Sequence, residues 1–178
     1  MSKVSLAISR VYYKIASLKT RWKLLIIAVI SLLIFLLSKD SPPGQNHFVY
    51  LADAFLHGKL NLSGSGTSLA EVVNYQGNFY VVYPPMPALL LMPFVAVFGT
   101  SFDQGLLSII LASLCVSAIW LMLRKTGVNG KKSLWLAVLF GFGTCFWFIA
   151  SVGSSWYIEH VSAVLFYRRH NSGFVQEK

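Results

Sequence analysis

Acidic side chains are scarce in this chain: six Asp and Glu stand against 15 Lys and Arg in 178 residues, and charged residues make up only 12% of it. A soluble domain averages about 25% charged, so this balance, with 56% hydrophobic residues, excludes a large soluble domain and points to a bilayer. Cysteine is nearly absent as well. Cys115 and Cys145 both fall inside apolar runs, where a thiol behaves as a small hydrophobe, so no redox pair is expected. CxxC, HExxH, Walker and Rossmann signatures are missing, and there is no internal repeat. The usual soluble-enzyme chemistries therefore have no foothold, and the +9 net charge reads as membrane orientation rather than nucleic-acid binding.

What is present is an all-α integral membrane pattern: three full spans, a truncated fourth, and a long first outer loop carrying juxtamembrane helices and a small hairpin. Residues 1–21 form a basic cytoplasmic segment whose Val4, Ile8, Val11, Ile15 and Leu18 recur at helical spacing. It is either a topogenic flank or a surface helix on anionic lipid. Span one covers 22–38 and reads as a retained signal-anchor, since no small-x-small cleavage site follows Leu37. The outer loop runs from 39 to 103, span two over 104–123, a cytoplasmic turn over 124–132, and span three over 133–153. A second outer loop follows at 154–160.

Charge decides this topology. If the uncharged stretch Pro84–Gly99 crossed the bilayer, Arg124, Lys125, Lys131 and Lys132 would lie outside, against the positive-inside rule. Its prolines also each remove a helix hydrogen bond that lipid cannot replace, so it reads as a juxtamembrane or re-entrant helix. From Val161 a further apolar run is stopped by Arg168 and Arg169, well short of the roughly 20 residues a span needs. Residues 161–178 thus look like a span cut or frame-shifted partway, the alternative being a natural short protein with an amphipathic end. The expected location is integral to a membrane with the N-terminus cytoplasmic.

Four of the six acids, Asp40, Asp53, Glu71 and Asp103, lie in the first outer loop. From Asn46 to His57, Phe48, Leu51, Ala52, Phe55 and Leu56 share a helical face, expected to rest on the membrane, and Gly58 supplies a stop. Asn46, Tyr50, Asp53 and His57 fall on the opposite stripe. A carboxylate there can take a proton from a hydroxyl, orient a cation or bind a metal; equally, Asp53 is a solvated residue pairing with His57 at i, i+4. Farther on, Glu71 to Tyr83 reads as two short strands turning at Gln76-Gly77. Tyr75, Tyr80 and Tyr83 suit either an interface or sugar stacking. Asn61-Leu62-Ser63 matches a glycosylation triplet.

Asp53 on an amphipathic helix just after the first span, then Gly77-Asn-Phe-Tyr80-Val-Val-Tyr83-Pro84-Pro85 leading to Pro93-Phe94 and Phe98-Gly99, resembles the first outer loop of C-superfamily (GT-C) integral membrane glycosyltransferases. The likeness is greatest to bacterial relatives of protein mannosyltransferases and aminoarabinose transferases. It covers about Trp22 to Leu165, the family's N-terminal third. The resemblance implies transfer of a sugar from a polyprenyl-phosphate donor to a glycan, lipid or protein acceptor on the outer face, with Asp53 as general base and Glu159 as the second acid. Tyr50, His57, Tyr83 and His160, beside these acids, become the substrate-binding candidates. The paired Asp-Glu of the eukaryotic members and a DxD signature are absent; no cofactor is implied, and a divalent cation is left open. Cations for the departing phosphate are few in the loop: Lys39, Lys59, His47 and His57. The reading from a different class is a non-catalytic multi-span protein serving as a scaffold or assembly subunit.

Overall fold

A computed structural model describes residues 17–40, 46–64, 67 and 70–171. The amphipathic pattern of residues 4–15 and the polar tail beyond 171 lie outside the described residues. The chain is mostly helical. In order it forms α1 (Thr20–Leu37), α2 (His47–Leu56), β1 (Val72–Tyr75), β2 (Asn78–Val81), α3 (Met86–Phe98), α4 (Gln104–Lys125), α5 (Gly130–Phe142), α6 (Phe146–Val152) and α7 (Ser155–Asn171). By length and composition α1 and α4 can cross a membrane, and α5 with α6 make a third crossing if that bent pair is one span.

α4 is the hub on which α1, α5, α6 and α7 pack. Its start is set by Asp103, whose side chain accepts from the Gly105 N–H at 2.8 Å. Its last turn carries Arg124 and Lys125, which suit the negative end of the helix dipole, and Gly127 at φ +85° turns the chain back. α1, by contrast, buries only Ser31 and Phe35. An apolar helix can leave most of its surface free only where the solvent is itself apolar.

Span three, expected as one helix over 133–153, is instead bent by 54° between α5 and α6. The break is chemically sealed. The Thr144 hydroxyl donates to the Phe140 carbonyl at 2.8 Å, and the Phe146 N–H donates to the same hydroxyl at 3.1 Å. Backbone groups freed by a kink in an apolar setting need such substitutes. The second outer loop expected at 154–160 shrinks to Gly153-Ser154, because α7 begins at Ser155 and takes in Glu159 and His160. Nor does helix end where the apolar run does: α7 continues through Arg168 and Arg169, since arginine is a good helix former whatever its hydropathy.

The helices alternate in direction. Near the start of α1, Arg21 shares a groove with Leu121 of α4 and Leu165 of α7. Past its other end, Ser38 bonds Ser151 at 3.1 Å and receives the Trp147 indole N–H at 2.9 Å. Lys39 pairs with Asp103 at 2.5 Å. One end of the bundle therefore gathers Lys19, Arg21, Lys23, Arg124, Lys125, Lys131 and Lys132, while every acid among the described residues, Asp40, Asp53, Glu71, Asp103 and Glu159, lies at the other.

The loop between α1 and α4 has its own small core. α2 packs on α3, so its apolar side, expected against the membrane, is buried within the protein at Phe48, Leu51 and Ala52. β1 and β2 pair antiparallel from Val72↔Val81 to Tyr75↔Asn78, and both turn residues, Gln76 and Gly77, have positive φ as a two-residue primed turn demands. α3 is 13 residues long with Pro93 inside it, about 20 Å against a hydrocarbon thickness of about 30 Å.

Candidate functional site

The base of the hairpin meets the beginning of α7. Glu71 and Tyr83 flank the closing strand pair, and Trp156 reaches them from α7. The Tyr83 hydroxyl donates to Glu71 Oε2, and the Trp156 Nε1–H lies 3.0 Å from that oxygen and 2.6 Å from the Tyr83 hydroxyl. Glu71 holds this position at φ +62°, in the left-handed region that few residues other than glycine adopt.

Behind this triangle sits His47, 2% exposed. Its Nδ1 is 2.7 Å from Ser155 Oγ and its Nε2 is 2.5 Å from the Ala70 carbonyl. A carbonyl can only accept, so Nε2 is the donor there, while Nδ1 shares its bond with the serine hydroxyl. Gln104 Nε2 then donates to Ser155 Oγ at 3.3 Å and to the Gly153 carbonyl at 3.2 Å. The ring edge of His47 also meets Tyr83, with centroids 5.6 Å apart at 88°. Loop, hairpin, α4 and α7 thus converge on one polar node.

Glu159 lies one turn beyond Trp156. Its Oε1 is buried and has no hydrogen-bond partner among the described residues. Burial pushes its carboxyl up from the ordinary carboxylate range, with His160 opposing. The Tyr83 hydroxyl is likewise raised, first by burial and then by its bond to Glu71, while the Trp156 N–H opposes and the charges of Glu71 and Glu159 add to the rise. A carboxyl held up in this way spends more of its time protonated, the state from which it can donate to a leaving oxygen.

That shift has a stability consequence. A carboxyl whose folded-state pKa is raised disfavours folding when charged, so the penalty is complete above the folded pKa and vanishes below the unfolded one. Glu159→Gln is therefore expected to raise the melting temperature at pH 8 and to change it little at pH 4, as followed by thermal unfolding in detergent micelles. Equal shifts at both values would mean the carboxyl charge is not involved.

Asp53 stands apart from this node. It is partly exposed on α2 beside His57, whose Nδ1 is 3.6 Å from the Asp53 carboxylate and 2.8 Å from the Asp53 backbone carbonyl. Tyr50, one turn earlier, is half-buried against the core, and His160 is exposed. Of the residues singled out by sequence, Asp53 and His57 come together, Tyr83 bonds Glu71 and feels the charge of Glu159, and among the described residues no hydrogen bond or ion pair joins Asp53 to either Tyr83 or Glu159. Among the described residues no set of three or more His, Cys, Asp or Glu side chains assembles to hold a metal ion.

Ser155 and Trp156 escape a reading of the sequence, Glu71 is read there only as a loop acid, and His47, read as a cation for the phosphate, has both ring nitrogens engaged within the protein. Only His47 leaves a signal: it precedes Phe48 and stands four residues before Leu51, so helical spacing already puts it on the apolar face of α2, where a histidine is buried and hydrogen-bonded. Glu71 and Trp156 are 85 positions apart, and no local pattern links them. Comparisons with protein-family models, curated proteins and solved structures found no match to the chain.

Proposed function

We propose that this chain is a membrane glycosyltransferase, or supplies the opening spans of one, which moves a sugar from a polyprenyl-phosphate donor to an acceptor at the acidic end of the bundle. The observation that carries the reading is the polarity of the molecule: most of the described Lys and Arg collect at one end, and the carboxylates, with tyrosine, tryptophan and the Asp103-paired Lys39, at the other. With the basic end cytoplasmic, the carboxylates face the exterior, where lipid-linked sugars meet their acceptors in the family that the loop resembles.

In this reaction the acceptor oxygen bonds to the anomeric carbon as the bond from that carbon to the phosphate oxygen breaks. The polyprenyl phosphate leaves with the electron pair. The acceptor proton passes to a carboxylate, and Asp53 takes that part because it is accessible and held by a short helix; Glu159 serves as the second acid. Inversion at the anomeric carbon follows from the single displacement. Such an enzyme chiefly positions the acceptor and removes its proton, since the leaving group is already good.

The test is transfer of labelled sugar from a panel of polyprenyl-phosphate donors in vesicles carrying the full chain. Asp53→Asn is expected to lower turnover by about 10²–10⁴-fold. Unchanged turnover in that variant removes Asp53 from the chemistry. No transfer from any donor by a folded chain favours the scaffold reading, which has its own support: Glu71, Tyr83 and Trp156 satisfy one another, as a purely structural clasp would.

A further inference from the structure

The basic end holds a second feature, independent of the transferase reading. Between α1, α4 and α7 runs an open groove of about 460 Å³, within the range of roughly 300–1,000 Å³ typical of small-molecule sites. Leu25 and Ala28 form one wall, Leu114 and Leu121 the other, and Leu165 closes one side. The polar residue Ser117 also lines it, but its hydroxyl donates back to the Leu114 carbonyl at 3.0 Å. The walls consequently offer hydrocarbon and ask for no hydrogen bond.

Arg21 lines the groove at its basic end. Its guanidinium lies 5.9 Å from the centre of the Trp22 ring, at the outer reach of a cation–π contact, and its fork of N–H donors suits a bidentate acceptor. Among the described residues no carboxylate pairs with it. Along α1, Arg21 to Ala28 spans about 10 Å, as does Leu114 to Leu121 along α4. One leaflet of hydrocarbon is about 15 Å deep, half of the whole.

We infer that this groove is a binding site for an anionic phospholipid of the leaflet that meets the basic end, with the phosphate on Arg21 and one acyl chain lying between α1 and α4. Charge and shape select this occupant together. A free phosphate would leave the apolar walls bare, a lipid without a phosphate would leave Arg21 unmatched, and Lys19, Lys23, Arg124 and Lys125 at the same end of the bundle raise the local concentration of anionic headgroups.

The proposal is tested by native mass spectrometry of the full chain released from micelles, titrated with phosphatidylglycerol and with diacylglycerol of identical acyl chains. The parent is expected to retain phosphatidylglycerol about five- to tenfold better. Arg21→Gln should bring the two lipids to parity, whereas Lys23→Gln should leave most of the preference. Ala28→Phe, which fills the groove, should weaken both lipids; Leu25→Trp at a half-exposed wall position serves the same end if the first variant misfolds. Equal losses from Arg21→Gln and Lys23→Gln would reduce the effect to a diffuse basic halo and overturn the site. Retention of both lipids by the filled variants would overturn it as well, as would a filled variant that changes only the mass of a self-associated form, because the groove would then hold a second copy.

Discussion

Gly153→Ala is expected to be among the most damaging single substitutions in the molecule, costing about 3–5 kcal/mol, a size seen only when several named mechanisms coincide. Gly153 ends α6 at φ +58°, where a side chain costs about 1–2 kcal/mol. The added Cβ would also stand 2.7 Å from Gly105 Cα and 3.3 Å from Ser108 Cβ. Gly105 belongs to the α4 backbone and has no side chain to move aside, so α4 and α6 must separate. Doing so strains the bond from Gln104 to the Gly153 carbonyl and that from Ser108 to the Ala150 carbonyl. Two neighbours provide controls. Gly127 has positive φ but open space around it, so alanine there should cost only about 1–2 kcal/mol. Gly141 has ordinary φ, and its Cβ would meet a Val116 methyl at 2.7 Å, so its cost depends on how far that side chain can shift. Urea unfolding in mild detergent ranks the three, and a Gly153→Ala variant no weaker than Gly127→Ala would contradict the close approach of α6 to α4.

The second large effect is expected from His47→Ala. Removing the ring takes one partner from the Ser155 hydroxyl, which keeps Gln104, and one from the Ala70 carbonyl, at about 1 kcal/mol for each bond lost, and opens a cavity beside Tyr83 that costs about 2–3 kcal/mol more. A total loss near 3–5 kcal/mol follows, and it falls on the contact between loop and bundle rather than on the span helices. Hydrogen exchange is the suitable readout: protection should drop in α2 and in the hairpin while the middle of α4 keeps its own. His47→Phe retains the volume without the two bonds and should recover only part of the loss. If alanine leaves loop protection intact, the histidine does not tie the loop to α7.

Much of the helical layout is legible from local pattern. Asp103 ahead of an apolar run marks the start of α4, Asn46 and Gly58 bracket α2, and Gln76-Gly77 marks the hairpin turn, because each of these depends on residues within a few positions of one another. The bend between α5 and α6 is written more faintly, in a glycine followed by a threonine whose hydroxyl can replace the missing backbone partners. α7 is masked by hydropathy, since Glu159, His160 and two arginines interrupt the apolar signal without interrupting the helix. The polar node defeats sequence reasoning for a different reason. His47, Glu71, Gln104 and Trp156 come from four segments that only the folded bundle unites, and the left-handed backbone of Glu71 is not one that glutamate prefers.

The separation of charge along the bundle gives the protein a lengthwise electrical polarity. In a bilayer energised negative on the side of the basic end, carrying each cation across costs about 2.3 kcal/mol per 100 mV, so inversion would have to work against the field on Lys19, Arg21, Lys23 and their companions on α4 and α5 at once. A voltage of that sign would therefore act as a continuing lock on a chain seated with its basic end on the negative side, long after insertion is complete.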